Sequence, residues 1–600
     1  MVEFPSARTV DFPSAPAVDL PDPGALPSWL PAPEQVAIPL VLALSLVLVW
    51  RLDRPRGAWG RRLRSRFVLG VPWGTLVSVL GVLAVYLFVQ QGAARWRAPL
   101  TVPFSSWSYF YPLGWLLAPF SHAGPGHLVG NLTTTLAVAP LAEYYFGHFT
   151  DRRGHNPFAS WRTNPWVRAF VVFPAGVFLV GLATSVFAWG PIIGFSGVAF
   201  AFVGFALVRY PLATVVAVSA QGVVRAVYRG LRDPVIVGEA SASYGPPWWY
   251  GTAVQGHVLG LLLGVLLGVV VLYRRRERAG EVGRPSALRL WTGAVVLGIS
   301  MTIWAIWWYR GESTYVLYRG LGVVFVFALA AVVTVAATAE RRPLFGDASI
   351  SLLGNASFSL LGDDSNSRFS EVSRQQVGVL ALALPLAVMA GVALPVNATA
   401  LDDASVPGDG PAVEVDGYTI TYAEGVENGK VSVVDVSLFG ETTRVTTSGV
   451  IVVNEDREIW TQEVSKGRLA FAGRAGVRVG GVGWSEVVRV QRRGWSALQG
   501  GTAYQVWLRG PDDDGWTQTY ASGPAIAGPT LANGTVAVVP QDGDFLVHFR
   551  RNNSTVGQVP IPSAGENVTV GDIRFEREES NLFAAYNDTR IQIAKRESYN

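Results

Sequence analysis

The sequence has no cysteine, only three lysines among its 48 basic residues, and few charged residues of either sign. The absence of cysteine excludes disulfides, thiolate nucleophiles and cysteine-bound zinc or iron–sulfur centres. Charged residues make up 15% of the chain and hydrophobic residues 50%, a balance that is typical of membrane proteins. A length of 600 residues exceeds one ordinary domain, so at least two structural units are expected.

Apolar runs long enough to cross a bilayer, which needs about 20 residues, recur ten times along the first two thirds of the chain. They lie near 33–50, 67–90, 126–146, 167–189, 195–210, 211–228, 251–273, 288–308, 316–338 and 376–396. The loops 51–66, 151–162, 274–278 and 340–342 are basic, and the positive-inside rule assigns such loops to the cytoplasm. Ten spans then place both termini outside.

Net charge differs between the two parts of the chain. Up to residue 396 there are 30 basic and 18 acidic residues, and from Asn397 onward 18 basic and 26 acidic ones. A basic membrane part followed by an acidic external part agrees with the predicted topology. It does not indicate a nucleic-acid partner.

The region after Asn397 is predicted to be β-rich, and a β-sandwich of one or two units is the expected fold. Short apolar segments separated by Gly, Asn and Asp read as strands, at 418–422, 430–439, 449–454, 504–508, 535–539 and 545–549. The same region holds Asn-x-Ser/Thr sequons at Asn397, Asn533, Asn552, Asn553, Asn567 and Asn587. These agree with an external, glycosylated region.

Histidines provide the first chemical signal. Of the six in the chain, His122, His127 and His257 fall at or within predicted spans, where a polar side chain costs free energy and is a functional candidate. His127 and Asn131 are four residues apart and share a helical face, although hydrogen bonds to neighbouring helices would also explain such a pair. The other three histidines are predicted to be ordinary loop or surface residues: His148, His155 and His548.

A serine on another span completes a possible nucleophilic pair. Ser196 lies in GPIIGFSGVAF, where a loop enters a helix. His257 borders a stripe of glycines, which allows helices to approach closely: Gly256, Gly260, Gly264 and Gly268. Ser196 and His257 enter from the same side at similar depth, so close-packed helices would bring them within hydrogen-bonding distance.

The candidate oxyanion donors are the Asn131 amide, a His127 N–H and the Ser196 backbone N–H. No carboxylate in a span offers a third member, so the expected arrangement is a dyad.

The motifs HxxxxHxxxN, GxSG and GHxxGxxxG, each on its own apolar span, resemble the rhomboid family of intramembrane serine proteases over residues 67–273. The resemblance implies that Ser196 is the nucleophile and His257 its base. It also implies that His127 and Asn131 line the oxyanion hole and that Glu143 is a structural acid. Phe200 stands where the family usually has a tyrosine that stacks on the base. Residues expected to support the site are His122, Gly194, Gly197, Phe200, Gly256 and Gly260.

The predicted fold is an all-α polytopic membrane protein, with a six-helix rhomboid-like core and about four extra spans, followed by a β-rich soluble domain. The expected parts are a Pro-rich external tail (1–32), a first span with a basic cytoplasmic linker (33–66), the core (67–273), three added spans (274–396) with a polar cytoplasmic loop (339–375), and the external domain (397–600).

The function expected from the resemblance is a serine endopeptidase in the cell membrane. It would use no metal or cofactor and would cleave transmembrane or juxtamembrane segments of other membrane proteins within the lipid bilayer. One alternative is a catalytically inactive rhomboid-like factor that binds membrane proteins or controls their quality.

A transporter or receptor is disfavoured, because the spans lack deeply placed acidic residues and the halves do not repeat. A metalloprotease is disfavoured by the absence of HExxH. The acidic run 512–514 is expected to be a solvated turn rather than a calcium site.

Overall fold

The structure is a computed structural model, and most of the chain is described in it. The described residues are 33–53, 57–149, 156–234, 245–279, 285–312, 314–339, 373–401, 406–408, 410–430, 432, 437–438, 441–528, 530–552 and 554–600. The predicted external tail (1–32), most of the predicted polar loop (339–375) and His155 lie outside these residues.

The chain divides into two compact units. The smaller one contains helix α1 (Pro33–Asp53) and the part of helix α9 (Pro211–Arg232) from Gly222 onward. Within it, the Gln35 side-chain amide donates to the carbonyl of Leu231 over 2.7 Å. The apolar side chains of α1 are exposed along its whole length, as expected of a helix whose sides face lipid rather than protein.

The larger unit holds the remaining helices. They are α2 (Ala58–Arg64), α3 (Trp73–Ala84, continued by a π turn at Val85–Val89), α4 (Pro112–Leu117), α5 (Pro125–Phe146), α6 (Pro165–Val167), α7 (Phe173–Val186), α8 (Ser196–Arg209), the first part of α9, α10 (Val254–Ala279), α11 (Ala287–Ser300), α12 (Arg319–Thr338) and α13 (Arg374–Asn397). A π turn at Arg168–Val172 joins α6 to α7.

Within the described residues, six helices are long and apolar enough to cross a membrane: Gln35–Leu52, Pro165–Val186, Pro211–Arg232, Val254–Glu277, Arg319–Thr338 and Arg374–Asn397. Three shorter apolar helices accompany them: Trp73–Val89, Ser196–Arg209 and Ala287–Ser300. The predicted multi-pass helical fold is confirmed.

The predicted spans 288–308 and 316–338 are both shorter in the structure, the first at its C-terminal end and the second at its N-terminal end. Helix α11 ends at Ser300 and α12 begins at Arg319. Between them, β1 (Trp307–Tyr309) pairs antiparallel with β2 (Tyr315–Leu317). These segments consist of aromatic residues, Val and Leu, which suit a strand as well as a span. Gly311 adopts a φ of +95° in the hairpin turn, a conformation that glycine adopts without strain.

A buried acid joins helices α3 and α5 at one end of the bundle. The Glu143 carboxylate accepts hydrogen bonds of 2.8 Å from the backbone N–H groups of Gly74 and Thr75, in the first turn of α3. His148 lies 2.6 Å from the same carboxylate, and its Nδ1 accepts the backbone N–H of Val68. The carboxylate caps unpaired donors at the positive end of a helix. His148 lies in the loop after α5, within the prediction of a loop or surface residue, but its side chain is fully buried and takes part in this network.

The C-terminal region is β-rich, as predicted. Its strands are β3 (Val413–Val415), β4 (Tyr418–Glu427), β5 (Ser437–Leu438), β6 (Glu441–Thr442), β7 (Thr446–Asn454), β8 (Ile459–Ser465), β9 (Arg474–Gly481), β10 (Trp484–Ala497), β11 (Thr502–Arg509), β12 (Thr517–Ala521), β13 (Ala525–Ile526), β14 (Gly534–Gln541), β15 (Asp544–Arg551), β16 (Ser554–Pro560), β17 (Asn567–Val570), β18 (Ile573–Glu578), β19 (Asn581–Tyr586) and β20 (Thr589–Arg596). A short helix, α14 (Lys466–Ala472), follows β8.

Among the described residues, these strands form sheets around two large hydrophobic cores and a smaller third one. Four strands have the order β3-β4-β7-β8, and four others β13-β14-β15-β16. An eight-stranded sheet has the order β12-β11-β10-β20-β19-β18-β17, with β9 also paired to β10. The 14-residue strand β10 contributes to both large cores, with Val488 and Val490 in one and Trp495 in the other. His548, predicted to be a loop or surface residue, lies half-buried in β15.

The structure describes four residues of the predicted strand at 430–439, and two of them form a strand. Only Ser437–Leu438 is extended, whereas Lys430 and Ser432 lie in a turn. The Asn428 side chain accepts the backbone N–H of Lys430, and its carbonyl accepts that of Ser432. An asparagine that binds the backbone two residues ahead favours a turn, and it overrides the alternating apolar pattern here.

The β-rich region packs on the long loop, residues 90–124, between α3 and α5. Val102, Trp107 and Tyr111 of this loop are at most 9% exposed and belong to the same hydrophobic core as Tyr418. Burial of such a side chain contributes about 1.5–3 kcal/mol. The Ser485 hydroxyl also bonds to the side chain of Gln91, at the start of the loop. The loop thus takes its fold partly from the C-terminal region.

The β1–β2 hairpin makes a second attachment to that region. Arg310 binds the Glu441 carboxylate through two guanidinium nitrogens, at 2.5 and 2.9 Å. Tyr318 donates to the same carboxylate, and Trp308 donates to the carbonyl of Thr442. The Arg310 bond, followed by that of Tyr318, lowers the pKa of Glu441 to about 2.

We expect Glu441→Gln to lower the unfolding temperature at about pH 7 and to remove part of its acid dependence. The folded-state pKa of Glu441 lies below the ordinary glutamate value of about 4.3. The pair therefore stabilises the fold fully above that value and loses this effect as the pH falls towards about 2. Thermal unfolding in detergent at several pH values measures the effect. Glu427→Gln, at an exposed position, is the control, and equal pH profiles for the two variants would contradict the assignment.

Candidate active site

Ser196 and His257 meet where helices α8 and α10 begin. The Ser196 Oγ and His257 Nε2 atoms are 3.0 Å apart, and both residues are partly exposed. With the imidazole proton on Nδ1, Nε2 accepts the serine hydroxyl proton. The Nδ1 atom is buried and has no hydrogen-bond partner among the described residues. The pair thus stands as a dyad in the described part of the chain.

Glycines set the distance between α8 and α10. A Cβ atom added at Gly260 would collide with the carbonyl of Gly197, and one added at Gly264 with the carbonyl of Ala201. The two backbones are in direct contact, and this contact brings the side chains at the helix starts together.

Gly256 does not share this role. A Cβ atom at Gly256 would meet nothing within 4 Å among the described residues, so its predicted contact with a neighbouring helix is absent there. Gly260 lies opposite Gly197, and α8 begins only one residue earlier, at Ser196. Gly256 lies one helical turn before Gly260, at a level that α8 does not reach because it begins at Ser196.

Phe200 covers one face of the His257 ring. The two rings are parallel within 12° and their centroids are 4.3 Å apart. Phe200 follows Ser196 by four residues, one helical turn, and so lies on the same face of α8. The stack restricts rotation of the imidazole and keeps Nε2 directed at Ser196.

The two candidate oxyanion residues lie beside the loop that leads into Ser196. This loop, residues 187–195, is called here the serine loop. Gly194 has a φ of +132°, and a Cβ atom there would lie 2.5 Å from His127 Cε1 and 3.5 Å from Asn131 Nδ2. The missing side chain is what lets His127 and Asn131 approach the loop two residues before Ser196. Ser196 also begins α8, so its backbone N–H has no partner within the helix and lies at its positive end.

His122 supports Asn131. The Asn131 amide lies 3.1 Å from His122 Nε2, and the two histidine rings, His122 and His127, stand edge to face. Gln90 holds the backbone of His122 from both sides. Its side-chain oxygen accepts the His122 N–H, and its amide donates to the carbonyls of His122 and Leu100. Gln90 was not singled out from the sequence, although a polar residue at the end of an apolar span is a signal for such a role.

The described residues contain no group of three His, Asp or Glu side chains placed to hold a metal ion. In the acidic run 512–514, the Asp513 carboxylate accepts the backbone N–H of Gly510 within a turn.

Comparison with known proteins identifies the same part of the chain. Residues 110–274 match the family model of the Rhomboid domain, a segment that begins within the long loop and ends in α10. No curated protein matches the chain, and no solved structure matches it. The α3 helix, α11 to α13 and the β-rich region lie outside the matched segment. The chain therefore carries a Rhomboid domain within a multi-pass membrane protein.

Proposed function

We propose that this protein is an intramembrane serine endopeptidase that cleaves transmembrane or juxtamembrane segments of other membrane proteins. The observation that carries the proposal is the 3.0 Å contact between Ser196 Oγ and His257 Nε2. Rhomboid domains occur in active proteases and in inactive relatives, and an aligned nucleophile and base is what catalysis requires. Both groups lie at the starts of apolar helices, where a substrate helix would leave the bilayer.

In the proposed mechanism, His257 Nε2 takes the hydroxyl proton of Ser196 as Oγ attacks the scissile carbonyl carbon. The resulting oxyanion accepts hydrogen bonds from the second N–H of the Asn131 amide, from the His127 ring and from the Ser196 backbone. The protonated His257 then gives its proton to the leaving amine, and the C–N bond breaks. Water, deprotonated by His257, hydrolyses the acyl-enzyme and releases the carboxylate product.

The site's side of the membrane is part of the proposal. The β-rich region contacts both the long loop and the β1–β2 hairpin, and the long loop binds the segment that leads into Ser196. Arginines lie at the opposite ends of the two helices that carry the dyad, Arg209 at the end of α8 and Arg274, Arg275 and Arg276 near the end of α10. The positive-inside rule then places Ser196, the β-rich region and both termini outside the cell membrane.

A fluorophosphonate probe tests the proposed activity without a known substrate. The probe forms an Oγ–phosphorus bond and releases fluoride only when the serine is activated. We expect wild-type protein in mild detergent to be labelled at Ser196, located by mass spectrometry. Ser196→Ala should abolish labelling and His257→Ala should reduce it by about 1,000-fold or more.

His148→Ala is not a suitable control, because that residue is part of a buried network; His548→Ala, in the β-rich region, serves instead. Labelling equal to wild type in His257→Ala would contradict the dyad. No labelling of folded wild-type protein would favour the inactive rhomboid-like alternative, a factor that binds membrane proteins without cutting them.

A further inference from the structure

Two side-chain amides hold the first residues of the serine loop. Gln255 lies two residues before His257 on α10, and Asn397 is the last residue of α13. The Asn397 amide donates to the carbonyl of Ala188 over 2.6 Å. The Gln255 amide donates to the carbonyl of Phe187 over 2.8 Å, and its oxygen accepts the backbone N–H of Trp189 over 3.1 Å. Three successive residues of the loop are thus bound by side chains from two other helices.

The same two residues tie these helices to the long loop and to each other. The backbone carbonyl of Asn397 accepts the backbone N–H of Tyr109 over 2.8 Å and the Ser108 hydroxyl over 3.2 Å. Tyr109 in turn donates its hydroxyl to the carbonyl of Val186 over 2.7 Å. Gln255 also reaches the carbonyl of Met389 on α13 over 3.4 Å.

Further along the serine loop, its hydrogen bonds among the described residues are to the long loop. Ser106 exchanges hydrogen bonds with Ile192, and the Gly194 N–H donates to the carbonyl of Ala118. The path of the loop towards Ser196 is thus fixed at two places, by Gln255 and Asn397 at Phe187–Trp189 and by the long loop at Ile192 and Gly194. Because Gln255 is two residues from His257, it couples the loop that carries the nucleophile to the helix that carries the base.

We propose that Gln255 and Asn397 are positioning residues that align Ser196 with His257, so that α13, outside the matched Rhomboid domain, is part of the catalytic apparatus. The inference rests on the proposed protease function. Asn397 is 2% exposed, and the carbonyl that it binds belongs to Ala188, which is fully buried. Its removal leaves that carbonyl without its partner and frees the start of the loop. The sequon at Asn397 is, for the same reason, closed to glycosylation in the folded protein.

The experiment compares Asn397→Ala with Thr399→Val in the full chain. Thr399→Val destroys the same sequon but leaves Asn397 in place, and among the described residues the Thr399 hydroxyl donates to the carbonyl of Val396. The first measurement is the fluorophosphonate reaction at Ser196, resolved into the reversible binding constant KI and the maximal rate kinact. We expect Asn397→Ala to lower kinact by about 10- to 100-fold, as misplacement of reacting groups does, with KI nearly unchanged. Thr399→Val should match wild type.

The second measurement, hydrogen–deuterium exchange over residues 187–195, needs no activity. Asn397→Ala should raise exchange there, although it leaves the acceptors of the Trp189, Ile192 and Gly194 N–H groups in place. Gln255→Ala should produce the same kinetic defect. Unchanged exchange in Asn397→Ala would overturn the proposal, as would raised exchange with kinact within about twofold of wild type. If wild-type protein is not labelled at all, the protease proposal fails, and the exchange result alone decides whether Asn397 holds the loop.

Discussion

Gly260→Ala is expected to separate helices α8 and α10 and to reduce labelling of Ser196 by about 100-fold or more. The added methyl group would collide with the carbonyl of Gly197, a backbone atom that cannot rotate away. Overpacking of this kind costs about 1–3 kcal/mol. Since Ser196 precedes Gly197 directly, a shift of α8 moves the nucleophile away from His257. Labelling kinetics and thermal unfolding in detergent measure the two effects.

Gly256→Ala is the matched control for that variant. It makes the same change one turn away on the same helix, where no described residue lies within 4 Å of the new atom. Alanine is a better helix former than glycine by about 1 kcal/mol, so this variant should be as stable as wild type or slightly more so, and it should be labelled normally. Normal labelling of Gly260→Ala would show that the glycine contact does not determine the Ser196–His257 distance.

Gly194→Ala is expected to weaken stabilisation of the oxyanion while leaving the helices folded. The new methyl group would lie 2.5 Å from the His127 ring, in a backbone conformation with a φ of +132°. His127 would have to move away from the loop, and Asn131 lies next to it. Loss of one oxyanion donor costs about 100- to 1,000-fold in rate. We therefore expect a fall of this size in the rate of Ser196 labelling, with a small change in unfolding temperature.

Gly190→Ala separates the effect of backbone strain from the effect of the collision. Gly190 lies in the same serine loop with a φ of +77°, and no described residue would contact the added methyl group. This variant bears a similar cost for a left-handed conformation, about 1–2 kcal/mol, without displacing His127. If both variants lost labelling equally, loop strain rather than the oxyanion residues would explain the Gly194 result.

The pairing of Ser196 with His257 could be predicted from the sequence because each lies at the start of an apolar helix next to small residues. Depth in a membrane follows from position along a span, so two helix starts on the same side lie at one level. The glycine stripe predicted close packing, and the structure shows it at Gly260 and Gly264. It could not show that Gly256 lies beyond the end of α8, because the stripe does not record where the partner helix begins.

The roles of His148 and Asn397 could not be predicted, for different reasons. His148 follows α5 in a polar stretch, and its side chain is buried only through tertiary contacts, with Glu143 and with Val68 just before α3. Asn397 begins a sequon, a local pattern that says nothing of burial. Its contacts are with Ala188 and Tyr109, more than 200 residues away in the chain.

The sequence by itself determined the class of the protein, its helical membrane part, the β-rich C-terminal region and the candidate nucleophile, base and oxyanion donors. These follow from hydropathy, from small residues and from polar groups placed where they cost free energy. Only the tertiary structure decided how the long loop folds and which side chains hold the serine loop. Those contacts join distant segments, α13 and the β-rich region to the loops around Ser196, and no local pattern encodes the pairing of surfaces that meet only after folding.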